Sequence, residues 1–263
     1  MKISTSLFTS ARVVIFLVAS VLVGGAITCS AAPDQTDTKM DVIWAESDGL
    51  RYEIFTSSYR AGTWGEPVMI TDDNAANLHP SMDVGADGNK WAVWSAIDGS
   101  VFEIRYSVFE NDEWQETKTL PADLSSNIKP SIIIDNNNIP WVVWSGNNGD
   151  NDDIYYSRYV DGEWTEEKRV HDINSVPDIL PFLDTDGEGN PVVSWDSFIE
   201  GSYQKQQSTW DGENWSSPST IVPEVETLEE QEDWQNSVTL PEFISDTRHV
   251  FLRIIESEIK ENK

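Results

Sequence analysis

Tryptophan recurs in this chain at a fixed stride. Trp44, Trp94, Trp144 and Trp195 are separated by 50, 50 and 51 residues, and Trp64, Trp114, Trp164 and Trp215 by the same three intervals. Pro80, Pro130 and Pro181 keep step at 50 and 51. Three landmarks that shift together through a single-residue insertion mark a structural repeat. A unit of this size cannot bury an apolar face alone, so its neighbours must cover it.

Each unit holds four short apolar stretches. The first follows the proline (SMDV, SIII, FLD), the second reads WAVW, WVVW or VVSW, the third YEIFTSSY, FEIRYSVF or DIYYSRY, and the fourth PVMI, KTL, KRV or STIV. Turn material separates them: GADGN, DNNN and TDGEGN between the first two, and RAGTW, ENDEW, VDGEW and DGENW before the last. Asn, Asp and Gly tolerate the left-handed angles that such turns need. Short runs rich in Val, Ile, Tyr and Trp between these turns describe strands. Runs such as SIIID and WVVW are apolar without alternation, which suits strands covered on both faces. These features predict an all-β chain: a small β-propeller of four to five blades, with about 50 residues per four-stranded blade.

The terminal units are incomplete. The first begins at its second strand, DVIW, and the unit after Pro241 offers EFIS as a first strand and VFLRII as a second before ESEIKENK. A C-terminal first strand can complete the first blade and close a ring of four; alternatively, a partial fifth blade stands beside it. The propeller is assigned to residues 41–263, with a polar linker at 32–40 and an acidic insertion, PEVETLEEQEDWQ, at 223–235.

The turn before the fourth strand has a constant frame. Ser57, Ser107, Ser157 and Ser208 are each followed by an aromatic two residues on (Tyr59, Phe109, Tyr159, Trp210) and by Trp seven residues on. This frame resembles the Asp-box turn of sialidase-like, BNR-repeat propellers, over roughly residues 40–255. The boxes are degenerate, because the aromatic stands where the Asp box carries its aspartate. The resemblance implies a propeller fold. It also raises a sialidase-like glycoside hydrolase as one activity, with an arginine triad, a Tyr–Glu nucleophile pair and an acidic Asp. The arginines here fall mostly in or beside the third strands, and no catalytic residue carries over onto this sequence.

Residues 1–31 differ in kind. MKISTSLFTSAR is basic, a run of 16 apolar or small residues (13–28) follows, and CSAAPD ends it. A charged start, a short apolar run and a small-residue exit read as a signal peptide. Three outcomes stay open: cleavage after Ala31, lipoprotein-type processing at Cys29, or retention as an uncleaved anchor. The chain is therefore expected to be exported, to a periplasmic, cell-surface or extracellular setting. Cys29 is the only cysteine, so packing rather than disulfides must hold the fold.

Forty-six Asp and Glu against 17 Lys and Arg leave a net charge of -29, which repels phosphate backbones and argues against nucleic acid as a partner. Expected partners are a glycan or surface polymer, or a protein, with membrane contact only through the N-terminus. Propellers bind ligands where the loops before first strands and after second strands converge. His79 and Lys129, before two of the prolines, are candidates there; their alternative role is to cap the first strand. Trp44, Trp94, Trp144 and Trp195 end their strands beside that face and are candidate sugar-stacking platforms, or else core between blades. Trp91 and Trp141, three residues earlier, project to the opposite blade face as core. Asp48 and Asp98 join the candidate ligand-binding set, and with Glu46, Asp150 and Asp196 are the acids to test for hydrolysis. No cofactor is expected, although Asp150, Asp152 and Asp153 in NNGDNDD could supply oxygens to calcium. Such loops are also ordinary turn material.

Overall fold

A computed structural model describes residues 39–47, 49–221 and the backbone of 253–257. Four antiparallel sheets account for nearly all of it. The first blade contains β1 (Lys39–Ser47), β2 (Tyr52–Arg60), β3 (Thr63–Trp64) and β4 (Val68–Met69). The second contains β5 (Ala76–Val84), β6 (Lys90–Asp98), β7 (Val101–Glu110), β8 (Glu113–Trp114) and β9 (Lys118–Thr119). In the third are β10 (Ser126–Ile134), β11 (Pro140–Asn147), β12 (Asp152–Val160), β13 (Glu163–Trp164) and β14 (Lys168–Arg169). The fourth holds β15 (Asp178–Thr185), β16 (Pro191–Ile199), β17 (Ser202–Thr209) and β18 (Ser219–Thr220). In each, strands follow one another by antiparallel hairpins, and the outermost strand is split in two segments or shortened. This is the expected small β-propeller architecture.

The missing inner strand of the first blade comes from the far end of the sequence. β19 (Arg253–Ser257) pairs with β1, Lys39 opposite Ser257 and Ile43 opposite Arg253. Sequence reading had placed residues 250–255 as a second strand; the structure uses 253–257 as a first. EFIS, the 223–235 insertion and the N-terminal leader lie outside the described residues. β1 itself starts at Lys39, inside the expected linker.

First strands begin earlier than the prolines suggested. β5 starts at Ala76 and β10 at Ser126, so Pro80 and Pro130 lie within the strand, at register breaks between Leu78 and Ser81 and between Ile128 and Ser131. The residue before each proline takes a left-handed φ: 53° at His79, 55° at Lys129, 55° at Leu180. Such a bulge adds one residue and leaves a position where a missing N–H costs no ladder bond. The next residue stitches blades together: Ser81 Oγ accepts from Ile132 N–H at 3.1 Å, and Ser131 Oγ from Leu183 N–H at 3.0 Å.

Blade seams form the core. Ile43, Ala45 and Ile54 meet Met82, Ala92 and Trp94 in the first seam. Val93, Ile104 and Leu120 meet Ile132, Val142 and Trp144 in the second, and Ile133, Trp141 and Val143 meet Leu183, Val193 and Trp195 in the third. As consecutive strand residues point to opposite faces, Trp91 joins the second seam while Trp94 joins the first. The outer face of the fourth blade departs from this pattern. Where the first three blades carry Ile43, Val93 and Val143, it has Ser194; where they carry Ile54, Ile104 and Ile154, it has Lys205. Lys205 pairs with Asp196 at 2.7 Å in a half-exposed setting.

The serine–tryptophan frame closes each outer hairpin. Ser57, Ser107, Ser157 and Ser208 donate through Oγ to the carbonyl eight residues on, at 2.7, 2.6, 2.7 and 2.7 Å. Tyr59, Phe109, Tyr159 and Trp210 pack on their tryptophans at centroid distances of 5.4, 5.5, 5.3 and 5.5 Å. The aromatic pair thus braces the turn.

Candidate functional site

Register defines one loop face. Asp178, at the start of β15, lies opposite Ser197, near the end of β16, so the linkers entering first strands and the hairpins leaving second strands share one end. The loops between first and second strands lie at the other end, where Asn138 binds Asp87 and Asn136 binds the Glu188 carbonyl of the next blade.

The four repeat tryptophans do not reach solvent. Trp44, Trp94 and Trp144 are 0% exposed and Trp195 1%. Trp94, Trp144 and Trp195 donate Nε1–H to Asn77, Asn127 and Asp178 at 2.9, 2.7 and 3.0 Å, and Trp44 donates to Glu46. The rings of Trp94, Trp144 and Trp195 are covered by the seams and Trp44 stacks on Phe55 at 5.8 Å, so none offers a platform to a sugar. One large apolar residue per blade at a seam-facing position is what buries the inner part of each sheet.

His79 and Lys129 occupy matching bulges on adjacent inner strands, with Leu180, 40% exposed, at the third. Burial, reinforced by the Lys129 charge, pulls the His79 pKa down to about 4, so the ring is neutral near pH 7. The Lys129 N–H is held by Ser95 Oγ at 2.8 Å across the second seam. The structure therefore brings this predicted pair together. Asp98 sits exposed at the end of β6, and Asp48 lies outside the described residues.

The acidic loop does not converge on a cation. Asp152 and Asp153 are consecutive in β12 and point to opposite faces. Asp152 accepts from Asn147 at 2.9 Å, Asp153 from Arg169 at 3.1 Å, and Asp150 is exposed. Among the described residues, no group of three His, Cys, Asp or Glu side chains is arranged to hold a metal ion.

Each seam carries a polar relay beneath the loop face. In the first, Glu53 accepts from Thr71 at 2.5 Å and Asn77 at 3.2 Å; burial raises its pKa. Beside it, Arg105 holds Glu103 at 2.6 Å and reaches Asp73 of the same linker at 2.7 Å; in the second seam Asn127 accepts from Trp144 at 2.7 Å. The third has Asp153, His171 and Asp178, with His171 Nε2 3.1 Å from Asp178 Oδ2.

Two exposed aromatics escaped sequence reading. Phe198 and Tyr203 flank the Glu200-Gly201 turn of the fourth blade and are 40% and 54% exposed. Their rings meet at 5.2 Å and 64°. Leu50, Val101 and Ile173, at 88%, 54% and 61%, stand on loops of the same face. The available signal was positional: the fourth hairpin is aromatic where the third reads Asn-Asn-Gly-Asp-Asn. Masking by the stronger tryptophan stride hid it.

No family model and no curated protein matches the sequence. Solved structures do match in shape. A protein of unknown function from Dyadobacter fermentans superposes with a TM-score of 0.54 at 11% identity, over 65% of this chain and 58% of that one. NanB, a sialidase of Streptococcus pneumoniae, superposes in a structure with Optactamide with a TM-score of 0.51 at 10% identity, over 70% of this chain and 50% of that one. A PL25 ulvan lyase reaches 0.49 at 11% identity, over 72% and 57%. The chain thus spans little more than half the length of these proteins, and at such identities the likeness is one of fold: this chain has a sialidase-like propeller architecture.

Proposed function

We propose that the protein is an exported, non-catalytic propeller that captures a glycan or surface polymer on its loop face. The exposed Phe198–Tyr203 pair carries the reading: two aromatics standing out of a loop face offer apolar surface to sugar C–H groups, with the Tyr203 hydroxyl free to serve hydroxyls. The company of glycan-active proteins of similar fold supports it. We read the serine–aromatic–tryptophan turns as degenerate Asp boxes, now structural.

Binding rather than hydrolysis is supported by how the charged groups are spent. Glu53, Glu103, Asp153 and Asp178 are each held by neighbours within a seam. Arg60 binds Asp41, Arg105 binds Asp73 and Glu103, Arg169 binds Asp153, and Arg51 binds the Asp73 carbonyl and Asn74. Arg158 lies over Trp141 at 4.8 Å. A substrate carboxylate would have to displace such partners to gather three guanidinium groups.

A glycan array probed with the purified protein, with calcium and with chelator, tests the reading by following retained protein and released sugar together. Retention without release, lost in Tyr203→Ala, is expected. Released sugar would replace it with the sialidase-like hydrolase reading, and silence in both channels would replace it with a protein partner.

A further inference from the structure

The three seam relays differ at one position. The linker into the next blade contributes Thr71 in the first seam, Pro121 in the second and His171 in the third. The matching inner-strand residue is Asn77, then Asn127, then Asp178. Only in the third of these seams does a titratable ring sit between two carboxylates, and both are fully buried: Asp153 and Asp178 are 0% exposed.

The ring's surroundings specify its protonation state. His171 Nδ1 is 2.8 Å from the Asp172 carbonyl, and Nε2 is 3.1 Å from Asp178 Oδ2. Both partners are acceptors: Nδ1 is within hydrogen-bond distance of the Asp172 carbonyl, and Nε2 is at ion-pair distance from Asp178 but off the line of a hydrogen bond. The imidazolium therefore meets both, where a neutral ring has one N–H to offer. Trp195 lies flat against the ring at 5.2 Å and 8°. The charges facing it are Asp178 from β15 and Asp153 from β12, and Asp153 is paired with Arg169 from β14. Burial lowers the His171 pKa, but the Asp178 contact, the Asp172 carbonyl and the two carboxylate charges outweigh it and set the value above the ordinary one.

From this ring a chain of bonds runs to the exposed aromatics. Asn174 Nδ2 donates to Asp178 at 2.7 Å, and Val176 N–H to Asn174 Oδ1 at 2.8 Å. Asn151 Nδ2 holds the Val176 carbonyl at 2.8 Å, and Phe198 N–H donates to the Pro177 carbonyl at 3.1 Å. Loss of the His171 proton leaves a ring lone pair against an acceptor. It also removes the ring's charge from between the two carboxylates, leaving Asp153 with Arg169 and Asp178 with the bonds from Trp195 and Asn174.

Resting on the binding reading above, we propose that His171 is a positioning residue: protonated, it latches the 171–177 linker to the fourth blade and holds the Phe198–Tyr203 hairpin in place, so that ligand capture is gated by pH. The sign is set by the direction of the shift. A His pKa raised by folding contributes stability that is complete below the unfolded value and is lost as pH rises through the folded one. The latch is closed in acid and opens on the alkaline side of ordinary His titration.

The test uses full-length protein labelled with 15N-histidine. The chain has three histidines, His79, His171 and His249, so their NMR titrations separate readily. Hydrogen exchange at 172–176 and 198–203 is followed over the same pH range and corrected for intrinsic rates. The expected result is a His171 midpoint above about 6.5, with linker exchange rising several-fold through it. Asp178→Asn, the residue type at 77 and 127, lowers that midpoint; His171→Thr, the type at 71, abolishes the step in exchange. A midpoint at or below the ordinary value, or flat exchange across it, overturns the latch. Glycan retention that falls above the midpoint in the native chain but not in His171→Thr supports the gate, and retention that stays flat while the linker opens overturns it. No retention at any pH with a working latch overturns the binding reading instead.

Discussion

The Trp164 indole of the third blade stands perpendicular to Trp91 of the second, with centroids 5.9 Å apart and an interplanar angle of 89°. Tyr159 meets the same Trp91 ring at 4.7 Å, and Tyr106 meets Trp164 at 5.4 Å and 81°. Trp164 Nε1 is buried with no hydrogen-bond acceptor, and edge-to-face packing puts ring faces around it instead. Trp91→Ala removes the centre of this cluster. It is expected to lower unfolding free energy by about 3–5 kcal/mol, read from the urea midpoint.

In the first seam a buried ion pair takes the place of that aromatic centre. Asp41, 0% exposed, meets Lys90 Nζ at 2.5 Å and Arg60 at 2.8 Å. Burial alone would raise its pKa, but the Lys90 charge and the bonds from Lys90, Ser58 and Arg60 outweigh it and hold the carboxyl below its usual value. Stability from this group is present above the unfolded carboxylate pKa and is lost as pH falls through the lowered folded one. Asp41→Ala strands a nearly buried ammonium and is expected to cost about 3–5 kcal/mol at neutral pH. Asp41→Ala combined with Lys90→Met should recover part of that loss in a double-mutant cycle.

His79 also loses stability in acid, by refusing a proton rather than by giving up a charge. Its pKa is pulled down to about 4. The unfolded chain therefore takes up a proton near pH 6.5 that the folded chain refuses. Stability is complete above that pH and declines by about 1–3 kcal/mol toward pH 4. Lys129→Met removes the neighbouring charge and should raise the His79 midpoint in the labelled-histidine titration. An unmoved midpoint would mean that burial acts alone.

The outer turns allow a direct exchange of one bracing device for another. Ser157→Ala deletes the 2.7 Å bond to the Thr165 carbonyl and should cost about 1–2 kcal/mol. Tyr159→Asp installs a carboxylate in the turn but deletes the ring's contacts with Trp164 and Trp91. It is expected to destabilise more than the serine change, as thermal unfolding of the two variants will show.

Much of the fold could be read because repetition multiplies weak signals. A single WVVW is ambiguous between strand and buried helix, but four copies at one stride, each followed by the same serine frame, are not. Seam placement of Trp91 and Trp141 followed from strand alternation. The first strands were cut short at Pro80 and Pro130 because a proline reads as a boundary, whereas a bulge accommodates it inside the strand. Candidate site residues were harder for the converse reason. His79 and Lys129 stood out by sharing a register, yet Phe198 and Tyr203 belong to one blade only. His171 looked inert because its partners, Asp153 and Asp178, are brought to it by packing rather than spacing.

The polar outer face of the fourth blade has a consequence for how such a chain can change in length. The second and third units present an apolar face on each side, so either can be duplicated in place and still meet complementary neighbours. The fourth has Ser194 and Lys205 where an additional neighbour would need Val and Ile, and Phe182 where the stitching serine would be. Copying the second or third unit needs no new chemistry, while copying the fourth would set Ser194 and Lys205 against an inner face. Duplication of this architecture is therefore easiest at its second and third units.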